Sequence, residues 1–387
     1  MKVKFGEVVK DVKLNVDRAN NPYEFYVAGD HMDSEDFRIH RKGCFATDDV
    51  GPAFVRIFKP GQVLYGSRRT YLKKVCVADF EGVTANTTFV LETKDENVLL
   101  QKLLPFLMLS DGFTNWSIKH SKGSTNPYVL FSDLADYEFS LPPLERQREL
   151  AELLWAANDL KEKYKALIAA TDEMLKAKFR EMFGEISKND KNWRLCRLQD
   201  VIIGGPSNGY FAKSDEYVQS DGVKILGVTD IVNRIFAETI RLPRANVRGK
   251  NVSKYNVEYG DMLFCRSSLV REGIGKAAII PYSFDGEVLF ECHVIRVKLD
   301  LKKCNPIFME YLSWTDDFRS QVMSNSKTTT MTTIGQDGIS SLKIFLPPLS
   351  LQRSFVAIAE KAEGVKAGLK KSIAEVDAVI KGLVNEG

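Results

Sequence analysis

Leu-Pro-Pro-Leu-Glu-Arg-Gln-Arg, residues 141–148, returns 205 residues later as Leu-Pro-Pro-Leu-Ser-Leu-Gln-Arg, residues 346–353. Six of the eight positions are identical. The same offset pairs further residues without a gap: Leu107 with Leu312, Asp111 with Asp316, Phe113 with Phe318, and Thr125 with Thr330. A constant offset over such a span indicates an internal repeat and therefore two copies of one structural unit.

Farther upstream the repeat is weaker and its offset changes. Gly61-Gln62-Val63-Leu64 corresponds to Gly260-Asp261-Met262-Leu263 at an offset of 199. The two copies are therefore expected to share a frame and to differ in their loops.

A long helix is predicted after each Pro-Pro pair, because helix-favouring residues follow and no glycine or proline interrupts the first copy before Gly184. Apolar residues recur every seven positions in two rows on each segment. The rows are Leu150, Ala157, Tyr164 and Thr171; Leu153, Leu160, Leu167 and Met174; Phe355, Ala362, Leu369, Val376 and Leu383; and Ile358, Val365, Ser372 and Val379. This period predicts a coiled-coil seam of about 40 residues, roughly 60 Å long.

Connectivity favours an antiparallel pair, because the second helix then begins beside the second half of the chain. The alternative is that each helix packs only on its own half. Gly364, Gly368 and Gly382 weaken the second helix and keep this alternative open.

The parts outside the helices have the pattern of mixed α/β domains. Short β-rich runs are residues 54–58, 87–92, 262–265 and 288–298, and helices are expected near 98–110 and 306–323. The predicted fold class is therefore α+β, with two tandem mixed α/β domains, two long helices forming an antiparallel coiled coil, and a pseudo-twofold internal repeat. The predicted boundaries are residues 1–143, 144–183, 184–347 and 348–387.

Composition excludes some classes of protein. Six cysteines lie apart with no C-x-x-C pair, and the first residues carry no apolar signal, so we expect a cytoplasmic protein with reduced thiols. The longest apolar stretch, residues 99–109, contains Gln101, Lys102 and Pro105, and is too short and polar for a membrane span. The net charge is only +3, so any nucleic-acid binding depends on local basic patches.

The tandem repeat, the Leu-Pro-Pro-Leu-x-x-Gln entry to each helix and the segments at Gly61 and Gly260 resemble the specificity subunits of type I restriction-modification systems. The resemblance covers essentially the whole chain. Arg146 and Leu351 stand where family members commonly carry a glutamate.

This resemblance implies that the two mixed α/β domains are target-recognition domains, each of which reads one half of a bipartite double-stranded DNA target, with the helices as spacer and docking platform. Two DNA methyltransferase subunits holding S-adenosylmethionine would bind that platform, and a restriction motor-nuclease subunit using ATP and magnesium would join them. This chain would hold none of these cofactors and no catalytic site.

Motifs of enzyme chemistry are weak or absent in the sequence. There is no G-x-x-x-x-G-K-[ST] loop, and leucines flank both Pro-Pro pairs, unlike an amino-methyltransferase motif. Glu92-Thr93-Lys94 with Asp79 has the form of a nuclease metal site but is common in charged chains. His31, His40, His120 and His293 show no ligand spacing, and Cys292 and His293 would point to opposite faces of a strand.

Two clusters of basic, polar and aromatic residues in each half are candidates for DNA binding, because Arg and Lys bind phosphates and arginine reads guanine. In the first half they are Ser67, Arg68, Arg69, Tyr71 and Lys73, and Lys119, His120 and Lys122. In the second half they are Arg266, Ser267 and Arg271, and Lys327 and Thr328, with Arg244 and Arg248 in a further basic stretch.

Two rival interpretations stay open at this point. One is a stand-alone DNA-modifying enzyme with unrecognised catalytic motifs, and the other is a coiled-coil scaffold that binds no DNA.

Overall fold

A computed structural model describes residues 1–247 and 252–386 of the chain. The chain divides into two compact units. Unit 1 comprises Met1–Leu167 and Gly368–Gly387, and unit 2 comprises Ile168–Ala367. Each unit therefore contains a globular head and parts of both long helices.

The head of unit 1 is mixed α/β. Its strands are β1 (Lys2–Lys4), β2 (Val9–Asp11), β3 (Phe25–Val27), β4 (Gly43–Cys44), β5 (Phe54–Phe58), β6 (Val63–Gly66), β7 (Val75–Val77), β8 (Gly82–Ala85), β9 (Thr88–Thr93) and β10 (Glu138–Ser140). Its helices are α1 (Phe5–Val8), α2 (Leu104–Leu109), α3 (Asp111–Lys119) and α4 (Phe131–Ala135), and the long helix α5 (Leu144–Phe183) follows.

The head of unit 2 has the same kind of architecture. Its strands are β11 (Arg194–Arg197), β12 (Ser207–Asn208), β13 (Tyr217–Val218), β14 (Val223–Leu226), β15 (Arg244–Ala245), β16 (Asp261–Cys265), β17 (Ser267–Ser268), β18 (Ala277–Ile279), β19 (Val288–Phe290), β20 (Val294–Lys298), β21 (Ser326–Thr328), β22 (Thr332–Ile334) and β23 (Lys343–Leu346). Its helices are α6 (Pro306–Ser313), α7 (Asp316–Ser324) and α8 (Gln336–Ser340), and the long helix α9 (Leu349–Glu386) follows.

Sheet topology repeats between the units. The sheet β2-β9-β6-β7 of unit 1 corresponds to β12-β20-β16-β18 of unit 2, and the pair β1-β10 corresponds to β11-β23. A second sheet in each unit contains a parallel pair, β3 with β8 and β14 with β19. The repeat detected in the sequence is therefore a repeat of fold.

The glutamine of the repeated motif fastens each long helix to its head. Gln147 is buried; its Oε1 accepts a hydrogen bond from Leu100 N at 3.0 Å, and its Nε2 donates to Val98 O at 2.8 Å and Pro142 O at 2.9 Å. Both ends of the amide are thus paired with backbone groups. Such pairing is what burial of a polar side chain requires.

Gln352 makes the same three bonds in unit 2. Its Oε1 accepts from Asn305 N at 2.8 Å, and its Nε2 donates to Lys303 O at 3.3 Å and Pro347 O at 2.9 Å. The motif therefore specifies the junction of head and helix in both units.

The first part of α5 and the last part of α9 pack together within unit 1. Leu150 and Leu383 line one apolar cleft, and Lys161 Nζ lies 2.6 Å from Asp377 Oδ1. Residue numbers rise along one helix as they fall along the other, so the helices are antiparallel there.

The remaining parts of the helices pack together within unit 2, again antiparallel. The Phe179 and Phe355 rings lie 5.1 Å apart, and Lys366 Nζ lies 2.5 Å from Asp172 Oδ1. Burial opposes the charge of Lys366, but hydrogen bonds from its ammonium to Asp172 and Glu363 leave its pKa above the ordinary value. The repeat offset relates this ion pair to the Lys161–Asp377 pair of unit 1.

The predicted heptad seam is only half right. One predicted row contributes buried residues such as Leu150 and Phe355. Most of the other row is exposed, with 40–55 % of the residue accessible at Leu153, Leu160, Leu167, Met174, Val365 and Val379, whereas Ile358 is partly buried against the core of unit 2. Each helix packs against both its partner and a head, as Leu154 in the core of the first head illustrates. This shared burial turns the second row towards solvent.

Two predicted elements are interrupted. Residues 288–298 form two strands because a turn, closed by the Val294 N to Glu291 O hydrogen bond at 3.0 Å, separates β19 from β20. Residues 306–323 form two helices, and the Thr315 hydroxyl accepts a hydrogen bond from Phe318 N at the start of α7. No helix in the described residues is long and apolar enough to cross a membrane.

Candidate nucleic-acid interface

The two basic clusters predicted in the first half meet in unit 1. Val129 N donates to Ser67 O at 2.9 Å, and Arg68 pairs with Tyr128 in an antiparallel bridge. Tyr128 also pairs with Lys122 on its other side. The loop after β6 and the loop after α3 thus form one small three-stranded patch.

Unit 2 builds the same patch as a regular sheet, with strand order β17-β22-β21. Thr333 pairs with Ser267 on one side and with Lys327 on the other. Ile334 N donates to Arg266 O at 3.0 Å, which matches the Val129 N to Ser67 O bond of unit 1. Both pairs of predicted clusters therefore come together, at equivalent places in the two heads.

These bonds also establish which residues of the two loops are equivalent. Arg68 and Arg266 lie in equivalent loops, but the residue equivalent to Arg68 is Ser267, and the residue equivalent to Arg266 is Ser67. The Ser67 hydroxyl is buried and donates to Thr87 O at 2.6 Å, while Arg266 Nη1 donates to Cys292 O at 3.1 Å. Both side chains therefore turn inward to hold the loop, and Ser67 is removed from the set of direct contacts.

The other predicted residues differ in exposure. Those that are exposed are Arg68, Arg69, Tyr71, Lys119, Lys122, Arg271, Lys327 and Thr328, and those that are half-buried are Lys73, His120, Arg244 and Ser267. Arg248 lies outside the described residues, as does Lys250 of the same basic stretch. Most of the predicted set is thus available at the surface.

Several of these side chains already have partners within unit 1. Lys73 Nζ lies 2.7 Å from Glu35 Oε1, and Lys122 Nζ lies 2.9 Å from Asp133 Oδ2, so each lysine shares its charge with a carboxylate. The His120 ring stacks on Trp116 with centroids 4.0 Å apart.

In unit 2, Arg244 Nη1 donates to Gly222 O at 2.7 Å, so this guanidinium braces its own loop. In unit 1, Arg68 has no ion-pair partner among the described residues and lies over the Tyr128 ring at 5.9 Å. Of the two arginines, Arg68 is therefore the one placed to reach a ligand.

A shallow cleft beside the unit 2 patch was not predicted. It has a volume of about 460 Å³, and Asp230, Ser267, Glu291 and His293 are among its lining residues. Ser267 Oγ lies 2.5 Å from His293 Nδ1, and burial raises the pKa of Asp230. Asp230 and Ser267 are far in sequence from Glu291 and His293. The parallel pairing of β14 with β19 brings Asp230 to the β19–β20 turn, and the Ser267–His293 contact brings the β17 loop there.

The same turn corrects the expectation for Cys292 and His293. Because they lie in a turn rather than a strand, their ligand atoms and that of Glu291 all lie within 4.8 Å of one another, a donor set able to hold a metal ion. Asp36, His40 and Glu162 form a second such group, which sequence spacing also missed. There Lys165 Nζ lies 2.9 Å from Asp36 and 2.8 Å from Glu162 and already supplies a positive charge.

Comparison with known proteins gives consistent results. Residues 55–169 match the family model described as the type I restriction modification DNA specificity domain. The type I restriction enzyme MjaVIII specificity subunit of Methanocaldococcus jannaschii is 23 % identical over 300 residues, which cover 74 % of this chain and 68 % of that protein. The EcoDI specificity subunit of Escherichia coli is 28 % identical over 145 residues, which cover 37 % of this chain and 32 % of that protein.

The fold agrees with these matches. A crystal structure of a type I restriction-modification S subunit from M. genitalium, 13 % identical, superposes with a TM-score of 0.53 and covers 99 % of this chain and 94 % of that one. The matched domain, the related sequences and the repeated fold together show that the chain is similar to the specificity subunits of type I restriction-modification systems.

Proposed function

We propose that the chain is the DNA-recognition subunit of a type I restriction-modification complex and that each head reads one half of a bipartite target. The observation that carries this proposal is the repeated three-stranded patch, which gathers two basic clusters on each head. Two copies of one reading surface with different side chains are what a split, non-palindromic target requires. The two rival interpretations leave this duplication unexplained.

The side chains of the patches suit a duplex. The exposed Arg68, Arg69 and Lys119 of unit 1 and Arg271 and Lys327 of unit 2 can neutralise phosphates or read base edges. The chain has a net charge of only +3, so binding depends on these local positions rather than on a global field.

The exposed apolar rows support docking of protein partners on the helices. In unit 1 the row includes Leu153, Leu160 and Val379, and in unit 2 it includes Met174 and Val365. Apolar residues at seven-residue spacing on an exposed helix face are typical of contacts with further helices. DNA methyltransferase subunits, two of them given the internal repeat, would bind there.

In this arrangement the chain contributes recognition and its partners contribute chemistry. S-adenosylmethionine would be held by the methyltransferase subunits, and ATP and magnesium by the restriction motor-nuclease subunits. The Glu92-Thr93-Lys94 segment supports this division, because Glu92 is occupied by one hydrogen bond from Gln62 at 3.0 Å and an ion pair with Lys10 at 3.1 Å.

A reconstitution experiment tests the proposal. The purified chain alone should neither methylate nor cut DNA, and labelled S-adenosylmethionine should be consumed only after a methyltransferase subunit is added. A gel shift with the complex should weaken as salt rises, because phosphate contacts release counterions. Turnover by the isolated chain would favour the stand-alone enzyme, and a complex that binds no DNA would favour the scaffold.

A further inference from the structure

Equivalent positions in the two heads can be identified from shared hydrogen bonds. In unit 1, Ala28 N donates to His31 Nδ1 at 3.1 Å, and His31 N donates back to Ala28 O at 3.1 Å. In unit 2, Gly227 N donates to Asp230 Oδ2 at 2.8 Å, and Asp230 N donates back to Gly227 O at 3.1 Å. His31 and Asp230 therefore occupy the same place in the same turn.

Strand register identifies a second pair of positions. Val27 pairs with Thr84 in the parallel strands of unit 1, and Leu226 pairs with Phe290 in those of unit 2. The residues that follow, Ala85 and Glu291, are therefore equivalent. Together with the Arg68 and Ser267 pair, this makes three positions at which the heads differ in chemistry.

At these three positions the two heads carry groups of different charge. Unit 1 carries His31, Ala85 and Arg68, a set with one cation, Arg68, and no carboxylate. Unit 2 carries Asp230, Glu291 and Ser267, a set with two carboxylates and no cation. The same frame thus presents donors in one head and acceptors in the other.

In unit 2 these acceptors face one space. Asp230, Ser267 and Glu291 all line the cleft, and Gly227 lies between the two carboxylates. A Cβ on Gly227 would lie 3.6 Å from Glu291 Oε1 and 3.7 Å from Asp230 Oδ2. Leu269, which is 82 % exposed, projects from the adjacent loop and lines the same cleft.

Neither Asp230 nor Glu291 has an ion-pair partner among the described residues. On a surface that approaches DNA, an unpaired carboxylate is repelled by phosphates and is stabilised only by a hydrogen-bond donor or a cation. The donors that a base offers in the major groove are the exocyclic amino groups of cytosine and adenine. The amino group of adenine lies between two acceptors, its own N7 and thymine O4, which two carboxylates would repel, whereas the amino group of cytosine has one neighbouring acceptor, guanine O6.

We infer that the cleft of unit 2 reads a cytosine, with Glu291 accepting from the one N4 hydrogen that pairing with guanine leaves free. Asp230, whose Oδ2 accepts from Gly227 N, lies beside Glu291 as a second negative group that favours the amino group of the base. This inference rests on the proposed function and adds the base class that one head selects. Leu269 and Met331, which also line the cleft, would contact the apolar C5 edge of the same base.

Replacing the carboxylate of Glu291 by an amide tests the inference, because the sign of the change in DNA affinity separates two possible roles of this residue. If Glu291 merely lies near DNA, Glu291→Gln removes a repulsive charge and raises affinity for every sequence alike. If Glu291 accepts from cytosine, Glu291→Gln lowers affinity for the preferred sequence by about 5- to 150-fold. It also relaxes one C·G position of one half-site. Asp230→Asn should affect the same position and carries the test if the first variant does not fold.

Glu272→Gln is the matched control, because Glu272 is an exposed carboxylate next to the same loop and does not line the cleft. The measurements are dissociation constants for a panel of duplexes varied at each position of the target, and the methylated motif made by the complex of the full chain with a methyltransferase subunit. The control should keep the motif unchanged.

Three outcomes of the Glu291→Gln measurement would overturn the inference: a uniform gain in affinity, an unchanged motif, or relaxation at a position that is not C·G. A cation in the cleft is also distinguishable. In that case a chelator would abolish discrimination by the unsubstituted chain and leave Glu291→Gln unaffected, which would equally overturn the inference. If the unsubstituted complex shows no sequence preference, the proposed function itself fails.

Discussion

Unit 1 and unit 2 each contain an equivalent hydrogen bond from a backbone N–H to a buried side chain, and the accepting residue differs between them. Lys59 N donates to Gln62 Oε1 at 2.7 Å, and Glu258 N donates to Asp261 Oδ2 at 3.0 Å. Glutamine stays neutral, whereas burial raises the pKa of Asp261 to about 6. The frame therefore constrains where an acceptor oxygen lies and leaves its charge free to vary, which is how two heads of one fold come to differ in chemistry.

The largest loss of stability is expected on substitution of the buried glutamine that both units share. Gln147→Ala and Gln352→Ala should each lower the free energy of unfolding by about 3 kcal/mol or more, because each leaves three backbone partners unpaired at about 1–3 kcal/mol apiece. Denaturant unfolding would measure both losses, which should be similar. Arg148→Ala and Arg353→Ala, at exposed neighbouring positions, are the controls. A loss below about 1 kcal/mol would contradict the role of the glutamine as a clamp.

The next largest effect is a dependence of the free energy of unfolding on pH, which should arise from Asp261 in unit 2. Since the pKa of Asp261 rises from 3.8 to about 6 on folding, the folded state binds more protons than the unfolded state between these values. The free energy of unfolding therefore falls as pH rises from about 4 to 6, by about 3 kcal/mol in total. Asp261→Asn should remove this slope.

The converse substitution, in unit 1, tests whether the pH dependence follows the ionisable group. Gln62→Glu places an ionisable group at the same buried position of unit 1 and should introduce a decrease in stability over a similar range of pH. Unfolding curves from pH 4 to 7 check both variants. If Asp261→Asn keeps the slope, other groups cause it.

A smaller and more local effect is expected at the reading surface of unit 1. Arg68→Ala should cost about 1–3 kcal/mol of DNA affinity and relax one position of the target if Arg68 reads a base. Lys119→Ala should lower affinity for all sequences alike and reduce the salt dependence by about one counterion, as expected for a phosphate contact. Binding titrations at several salt concentrations separate the two. Unchanged affinity in both variants would place the DNA elsewhere.

Much of the fold could be predicted from the sequence, because its signals are local. Helix starts follow from Pro142-Pro143 and Pro347-Pro348, and the two copies from a constant offset. The heptad rows were harder to interpret. A seven-residue period reveals apolar faces but not which of them a head covers, so Leu153 and Leu160 were assigned to a seam from which the structure excludes them.

The site was predictable only in part. Loop pairing could be expected because both clusters repeat, and the offset of 199 between the Gly61 and Gly260 segments pairs Arg68 with Ser267, as the structure does. The cleft of unit 2 gave no sequence signal at all. Asp230 and Glu291 are 61 positions apart, and only the parallel pairing of β14 with β19 brings them together.

The central claim is that each head reads its own half of the target. Exchanging residues 1–143 for the equivalent segment of a related specificity subunit, and mapping the methylated motif made by the complete complex, tests this claim most directly. We predict that one half of the motif changes and the other stays the same. A motif that changes in both halves, or in neither, would contradict independent reading by the two heads.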